Sequence, residues 1–170
     1  MYYAAIKKND IANGEGIRTT LFVSGCRHHC KGCFNPETWN FSYGKPFTDE
    51  VIEEILRALK PDYIAGLSLL GGGPFEPENQ AALVKLTSLA REMYPKKKIW
   101  CYSGFTFEDR LSKGAVGDPE TCLALLQNID VLVDGTFKEE LKDASLLFRG
   151  SSNQNIIDVQ KSLKEGKMIL

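Results

Sequence analysis

Short apolar runs along the chain alternate with segments whose apolar residues recur every three or four positions. Runs of roughly four to eight apolar or β-branched residues are typical of buried strands. The pattern predicts four such strands, at residues 19–24, 67–70, 98–102 and 129–134. A glycine, or a serine followed by glycine, comes directly after each run and indicates that the chain turns there.

Three segments with helical spacing lie between and around these strands. The first begins after Thr48, the second runs over residues 77–94 before Pro95, and the third opens at Asp118 and Pro119. The residues predicted to face the core are, helix by helix, Val51, Ile52, Ile55, Leu56 and Leu59; Leu83, Leu86, Ala90 and Met93; and Cys122, Leu123, Leu125 and Leu126.

Alternation of strands and helices predicts parallel βαβ units and an α/β fold. The 170 residues show no linker or repeat, so we expect a single domain over residues 1–170. That length is short for a complete eight-stranded barrel, which favours a partial (open) parallel β/α barrel. A further pair of strands is expected near residues 146–149 and at the C-terminus. The open side of such a barrel would admit a protein loop as readily as a small molecule.

The charge is nearly balanced, with 21 basic and 22 acidic residues, so no nucleic-acid-binding surface is predicted. The only basic run, at residues 96–98, is interpreted as a solvated turn. No apolar run has membrane-spanning length, and residues 1–10 have no signal-peptide character. An odd number of cysteines, five, indicates a reducing compartment, and we therefore predict a cytoplasmic protein with no membrane partner.

Three of the five cysteines, Cys26, Cys30 and Cys33, lie within eight residues directly after the first predicted strand. Thiolates on one short loop can share one centre, and they favour zinc or an iron–sulfur cluster. A structural zinc needs a fourth ligand, which His28 or His29 would supply only by turning back onto the loop. A four-iron cluster held by three thiolates instead keeps one iron open. Cys101 and Cys122 stand alone and are predicted to be small buried apolar residues.

This C-x3-C-x2-C spacing resembles that of the radical S-adenosylmethionine enzymes. The resemblance implies a radical S-adenosylmethionine type of open barrel and a 4Fe-4S cluster on the three cysteines. It also implies that the open iron binds the methionine part of S-adenosylmethionine, whose reductive cleavage gives a 5′-deoxyadenosyl radical. The further residues implied in cofactor binding are Gly32, Cys33 and Phe34 near the adenine, Gly71, Gly72 and Gly73 at the methionine end, and Ser103 beside it.

Position 73 departs from the motif of that superfamily. The superfamily pattern is Gly-Gly-acid-Pro, whereas this chain has Gly73 at the acidic position and Leu70 where serine is common. Backbone carbonyls would then have to accept the hydrogen bonds of the methionine ammonium. The tripeptide still follows a predicted strand, which is where α/β sheets carry their sites.

Other blocks narrow the resemblance to the anaerobic ribonucleoside-triphosphate reductase-activating proteins. They are spread over residues 10–154, and the most discriminating is the polar block at its end. The blocks are Asn13-Gly14-x-Gly16-x-Arg18, Leu21-Phe22-Val23-Ser24-Gly25-Cys26, Gly32-Cys33-Phe34-Asn35, Asp134-Gly135-x-Phe137, Leu141-Lys142-Asp143 and Phe148-Arg149-Gly150-Ser151-Ser152-Asn153-Gln154.

The resemblance implies an activase that generates a glycyl radical on the large subunit of that reductase, with a flavodoxin or a similar protein as electron donor. No catalytic acid or base is implied, because the protein positions the cofactor and excludes water. Asp134 has two readings, a turn cap or a cofactor contact. The loops after the predicted strands are short, so we expect the reductase subunit to supply the lid over the cavity.

Two alternatives stay open at this stage. One is another radical S-adenosylmethionine enzyme, an activator of pyruvate formate-lyase or a small-molecule enzyme of the deazapurine pathway. The other is a zinc-binding interaction module without catalytic activity.

Overall fold

The computed structural model describes residues 1–170 and contains one seven-stranded sheet, four α-helices and short 3-10 turns. The sheet has the spatial order β3-β1-β2-β4-β5-β6-β7. The strands are β1 (Tyr2–Asp10), β2 (Ile17–Val23), β3 (Lys45–Pro46), β4 (Ile64–Gly71), β5 (Lys98–Tyr102), β6 (Val131–Asp134) and β7 (Asn155–Asp158). The helices are α1 (Asp49–Leu59), α2 (Pro77–Met93), α3 (Pro119–Gln127) and α4 (Val159–Glu165).

The four central strands, β2, β4, β5 and β6, are parallel, and they are the four strands that the sequence predicted. The prediction of an α/β fold is confirmed. Both edges of the sheet are antiparallel, since β1 pairs with β2, β3 pairs with β1, and β7 pairs with β6. The sheet is therefore mixed, and the expectation of parallel strands throughout was wrong at its edges.

Two edge features were not predicted correctly. Strand β1 was missed, because its second half is polar and exposed and shows no clear alternation of apolar residues. The strand expected near 146–149 was wrong, since those residues belong to the irregular segment between β6 and β7. The strand near the C-terminus exists, as β7, and α4 follows it.

The three predicted helices exist and cover one face of the sheet. Their inward residues Ile55, Leu83, Leu86 and Leu125 pack in one core cluster with strand residues such as Leu69. Cys101 and Cys122 lie in the same cluster and are fully buried, so their predicted role as packing residues is confirmed. Met93 was predicted to face inward but is 53% exposed. The neighbouring residue Tyr94 packs against the core in its place.

The face of the sheet away from the helices is where the candidate site lies. Side chains alternate across a strand, so Leu21, Leu69 and Cys101 face the helices while Phe22, Leu70 and Tyr102 face the other side. No helix in the structure is long and apolar enough to cross a membrane.

Arg18 fixes the opposite, N-terminal ends of the central strands. Its side chain is 1% exposed and lies against the ring of Trp100. It donates hydrogen bonds to the Ser68 hydroxyl at 2.7 Å and to the carbonyls of Leu67 at 2.9 Å and Lys98 at 2.6 Å. Burial lowers the pKa of Arg18 to about 10. The guanidinium thus joins β2, β4 and β5 at one point.

The glycines of the Asn13-Gly14-x-Gly16-x-Arg18 block serve this clamp. Gly14 has a φ of +122°, and a Cβ atom there would lie 2.9 Å from Cδ of Arg18. Arg18 Nη1 donates to the carbonyl of Glu15 at 3.0 Å, inside the same turn. The block is therefore explained by the fold, as a turn wrapped around a buried arginine.

Candidate functional site

A cavity of about 560 Å³ lies where the central strands end at their carboxyl side. Each of the four parallel strands sends its following loop into the wall, which is the edge at which α/β sheets place their sites. The predicted site residues on this wall are Cys26, Cys30, Cys33, Phe34, Gly71, Gly72 and Ser103. Gly32 and Gly73 belong to the same loops but do not line the cavity.

The three thiols are free and half-buried. Burial raises the pKa of the Cys26 and Cys30 thiols above the ordinary value. The loop is tied down at its start, where the amide of Cys26 donates to the carbonyl of Trp39 at 3.2 Å. The amide of Asn35 donates to the sulfur of Cys33 at 3.4 Å. A positive potential from bound metal would favour all three thiolates.

Neither histidine of the loop joins the thiols. The ring of His29 stacks on Trp39 with centroids 4.6 Å apart, and the ring of His28 packs on Phe105 at 4.5 Å. No three His, Cys, Asp or Glu side chains stand close enough to surround a single metal ion. Zinc bonds of about 2.3 Å would require such convergence. With both histidine rings held on aromatic partners, a Cys3His zinc site would lack its fourth ligand.

The glycines after β4 allow two loops to touch. The amide of Gly72 donates to the carbonyl of Val23 at 2.8 Å, and the amide of Gly73 donates to the carbonyl of Gly25 at 2.7 Å. A Cβ atom on Gly72 would lie 2.7 Å from the Gly25 oxygen. The absence of side chains therefore lets the β4 loop lie directly against the start of the cysteine loop.

Gly73 does not offer a free carbonyl to a ligand. Its oxygen accepts hydrogen bonds from the amide of Glu76 and from the side chain of Asn79, both at 2.9 Å. That backbone carbonyls of this stretch receive the methionine ammonium stays a prediction, and the carbonyl of Gly73 already has two hydrogen-bond donors of its own. Asn79 also donates to the carbonyl of Ser24 at 3.0 Å, which adds another link between the two loops.

Ser103 and Asp134 both close turns. The amide of Phe105 donates to the Ser103 hydroxyl at 3.0 Å, and the serine also lines the cavity. The Asp134 carboxylate accepts from the amide of Phe107 at 2.8 Å and from the Asn155 side chain at 3.0 Å. Asp134 is absent from the cavity wall, which supports its reading as a turn cap.

Comparison with known proteins decides what kind of site this is. Residues 12–157 match a protein-family model described as a 4Fe-4S single cluster domain. The anaerobic ribonucleoside-triphosphate reductase-activating protein of Pasteurella multocida is 40% identical over 158 residues, 92% of this chain and 96% of that protein. The protein of that name from Vibrio cholerae is 44% identical over 149 residues, 86% and 91% of the two chains. The chain belongs to this family of activating proteins.

Membership in the family of reductase-activating proteins confirms the resemblance drawn from the sequence blocks. It also supports the 4Fe-4S assignment for Cys26, Cys30 and Cys33. The Escherichia coli K12 protein of the same name is 43% identical over 147 residues, 85% of this chain and 90% of that protein. The similarity thus spans both the cysteine loop and most of the C-terminal blocks.

One wall of the cavity was missed at the sequence level. The irregular segment of residues 135–154, between β6 and β7, covers the face of the sheet that the helices leave open. Its residues on the cavity wall are Gly135, Phe137, Leu146, Phe148, Arg149, Gly150 and Gln154. The premise that the chain has no long loop for a lid was therefore wrong. The only signal in the sequence was the discriminating block at residues 149–154.

Gln154 holds this segment in shape. Its side-chain oxygen accepts from the amides of Gly150 at 3.0 Å and Ser151 at 3.2 Å, and its side-chain nitrogen donates to the carbonyl of Gly135 at 3.0 Å. Arg149 donates to the backbone carbonyl of Gln154 at 2.6 Å. The residues of the polar block are thus joined by a network of hydrogen bonds that closes the segment.

We expect Gln154→Ala to lower the free energy of unfolding by about 2 kcal/mol, because several buried backbone groups lose a partner. We also expect S-adenosylmethionine cleavage to fall at least tenfold at temperatures where the variant stays folded. Chemical unfolding and an assay of 5′-deoxyadenosine measure the two effects. Gln160→Ala is the control, since Gln160 bonds to two backbone carbonyls far from the cavity. Equal rates of S-adenosylmethionine cleavage by the two variants would show that the hydrogen-bond network of Gln154 does not shape the site.

Proposed function

We propose that this protein is an activase that uses a 4Fe-4S cluster and S-adenosylmethionine to generate a glycyl radical on the large subunit of an anaerobic ribonucleoside-triphosphate reductase. The observation that carries the proposal is the placement of three free thiols and two glycine-containing loops on one cavity wall. The relatives' names state the activity of those proteins, and their similarity extends over nearly the whole chain.

Cys26, Cys30 and Cys33 would hold three irons and leave the fourth for S-adenosylmethionine. When bound, the cluster and S-adenosylmethionine together would supply one-electron reductive cleavage and hydrogen-atom abstraction. Phe34 and Gly32 would lie near the adenine, Gly71 and Gly72 at the methionine end, and Ser103 beside it. Gly73, whose amide and carbonyl are engaged, would act by allowing loop contact. The resemblance to the radical S-adenosylmethionine enzymes implies these assignments, and the presence of these loops around the cavity supports them.

The chain's own contribution is to position the cofactor and exclude water. Aromatic rings line much of the cavity: Phe22, Trp39, Phe137 and Phe148. No aspartate or glutamate belongs to the wall, so no carboxylate is placed there as a general base. These rings would pack against the bound cofactor and keep bulk water out of the cavity.

We further propose that the four parallel strands form the open β/α barrel of the radical S-adenosylmethionine type, within a single domain over residues 1–170. Support comes from the cavity at their carboxyl ends. A flavodoxin or a similar one-electron donor and a cytoplasmic location complete the proposal. The absence of any disulfide among the five cysteines is consistent with a reducing compartment.

Anaerobic reconstitution with iron and sulfide tests the enzymatic part of the proposal. We expect a brown protein with broad charge-transfer absorbance that converts S-adenosylmethionine to 5′-deoxyadenosine when a strong reductant is added. Colourless protein that binds stoichiometric zinc under the same conditions, and that does not cleave S-adenosylmethionine, would contradict it.

A further inference from the structure

Glu76 is a buried carboxylate that joins the loop after β4 to the cysteine loop. Glu76 is 1% exposed and comes directly before Pro77, the first residue of α2. One carboxylate oxygen accepts from the backbone amide of Arg27 at 2.7 Å, and the other accepts from the Arg27 guanidinium at 2.7 Å. Arg27 is the residue after Cys26, so the contact is made one residue from a predicted cluster ligand.

Burial of a carboxylate is costly unless hydrogen bonds and an opposite charge compensate it. Both oxygens of Glu76 have such partners, and both partners belong to the cysteine loop. The Arg27 side chain is partly exposed, stacks over Phe41 at 4.5 Å and also pairs with Glu78. The part-buried hydrogen bond from the Arg27 amide to Glu76 is therefore the contact that fixes the backbone beside Cys26.

The side chain of Glu76 also fills the space that a side chain at position 73 would need. A Cβ atom on Gly73 would lie 2.7 Å from Cγ of Glu76 and 3.4 Å from its Oε1. The φ angle of Gly73 is not positive, so the backbone itself would accept another residue. A side chain at position 73 and the side chain of Glu76 would thus occupy the same space. In this chain Glu76 fills that space, and position 73 is glycine.

We infer that Glu76 is a positioning residue, which holds the cysteine loop against the β4 loop and whose side chain requires glycine at position 73. The inference rests on the proposed function, because it assigns Glu76 a part in arranging the cluster loop. Residues that hydrogen-bond to a metal-binding loop and orient its ligands typically change metal affinity by about 10–100-fold when they are removed. Glu76 acts through the backbone of Arg27 and does not touch the cavity.

The test uses the full chain and three variants of this contact: Glu76→Ala, Glu76→Gln and Gly73→Ala. We expect Glu76→Ala to lower the melting temperature of the metal-free protein by about 5 °C, because the Arg27 amide loses its acceptor. After reconstitution, the iron retained against a chelator should fall about tenfold. Glu76→Gln keeps the shape and one acceptor oxygen, and it should retain most of the iron. If Glu76→Ala does not fold, Glu76→Gln and Gly73→Ala still give the comparison.

Two controls separate positioning from general stability. Glu78→Ala removes the other partner of Arg27, whose side chain is 46% exposed, and should change neither the melting temperature nor the iron content. Gln160→Ala loses two hydrogen bonds remote from the site and should lower the melting temperature without loss of iron. Iron loss in Gln160→Ala equal to that in Glu76→Ala would overturn the inference.

The competition for space is tested by a double-mutant cycle. Gly73→Ala alone should destabilise the protein, because its Cβ meets Cγ of Glu76, whereas in the Glu76→Ala background the same change should have little effect. Additive changes in melting temperature would refute the shared volume. These measurements on metal-free protein and on iron content stand even if wild-type protein fails to cleave S-adenosylmethionine, a failure that would reject the proposed function instead.

Discussion

Alanine at Cys26, Cys30 or Cys33 is expected to reduce S-adenosylmethionine cleavage to the background rate. Each replacement removes one of three thiolates, and no other cysteine, aspartate or glutamate lies on the cavity wall to substitute for it. The reconstituted variants should also contain much less iron than wild type. Quantification of 5′-deoxyadenosine and of bound iron and sulfide checks both effects.

Cys101→Ala and Cys122→Ala are the matched controls. Both side chains are fully buried in the helix-side core, and burial raises the pKa of each thiol, as expected for packing residues. Each substitution should cost about 1 kcal/mol of stability and leave the cluster in place. A Cys101→Ala protein that folds but cannot hold the cluster would overturn the ligand assignment.

Arg18→Met is expected to cause the largest loss of stability, about 3 kcal/mol or more. The substitution removes the donor shared by Ser68, Leu67 and Lys98, so each of these acceptors loses a hydrogen bond in or beside the core. A loss of that size is a large part of the stability of a typical domain. The midpoint of urea unfolding measures it.

Arg18→Lys keeps a positive charge but supplies a single nitrogen, which cannot replace the hydrogen bonds to all three acceptors on β4 and β5. We expect it to lie between wild type and Arg18→Met. Stability of Arg18→Met within 1 kcal/mol of wild type would mean that the strands are held by their packing alone, and that the turn at residues 13–18 has another purpose.

The periodic elements could be predicted because burial acts on them directly. The strands around Leu21, Leu69, Cys101 and Leu132 are largely buried, so their sequences are mostly apolar or β-branched. Strand β1 escaped prediction because only the two-residue strand β3 covers its outer side and the second half of β1 is largely exposed. Its pairing depends on the neighbouring strand β2, and this kind of dependence is invisible in a local pattern.

The candidate site was predictable only in part. The cysteine spacing located the thiols. A glycine in a sequence indicates that a side chain is excluded at that position, but it does not identify the group that excludes it. At Gly72 the excluding group is the carbonyl of Gly25, and at Gly73 it is the side chain of Glu76. The covering segment at residues 135–154 has no periodicity at all, since Gln154 holds it by hydrogen bonds instead of an apolar face.

The segment of residues 135–154 reduces the part of the cavity that the reductase subunit would have to cover. Phe34 on the cysteine loop is 62% exposed and lies 5.1 Å from Phe137 of the segment, measured between ring centroids. The chain therefore closes one side of its own cavity. A glycine-bearing loop of the reductase would need to reach the cavity beside this segment, and the prediction that the partner completes the enclosure awaits a test.

Electron paramagnetic resonance on the assembled system tests the central claim most directly. Reconstituted protein, S-adenosylmethionine, a reductant and the large reductase subunit should together give a doublet signal from a glycyl radical. The doublet should collapse when the target glycine is deuterated at Cα, and protein without the subunit should cleave S-adenosylmethionine slowly or unproductively. Rapid turnover of a free small molecule without any partner, and no doublet when the subunit is present, would contradict the account.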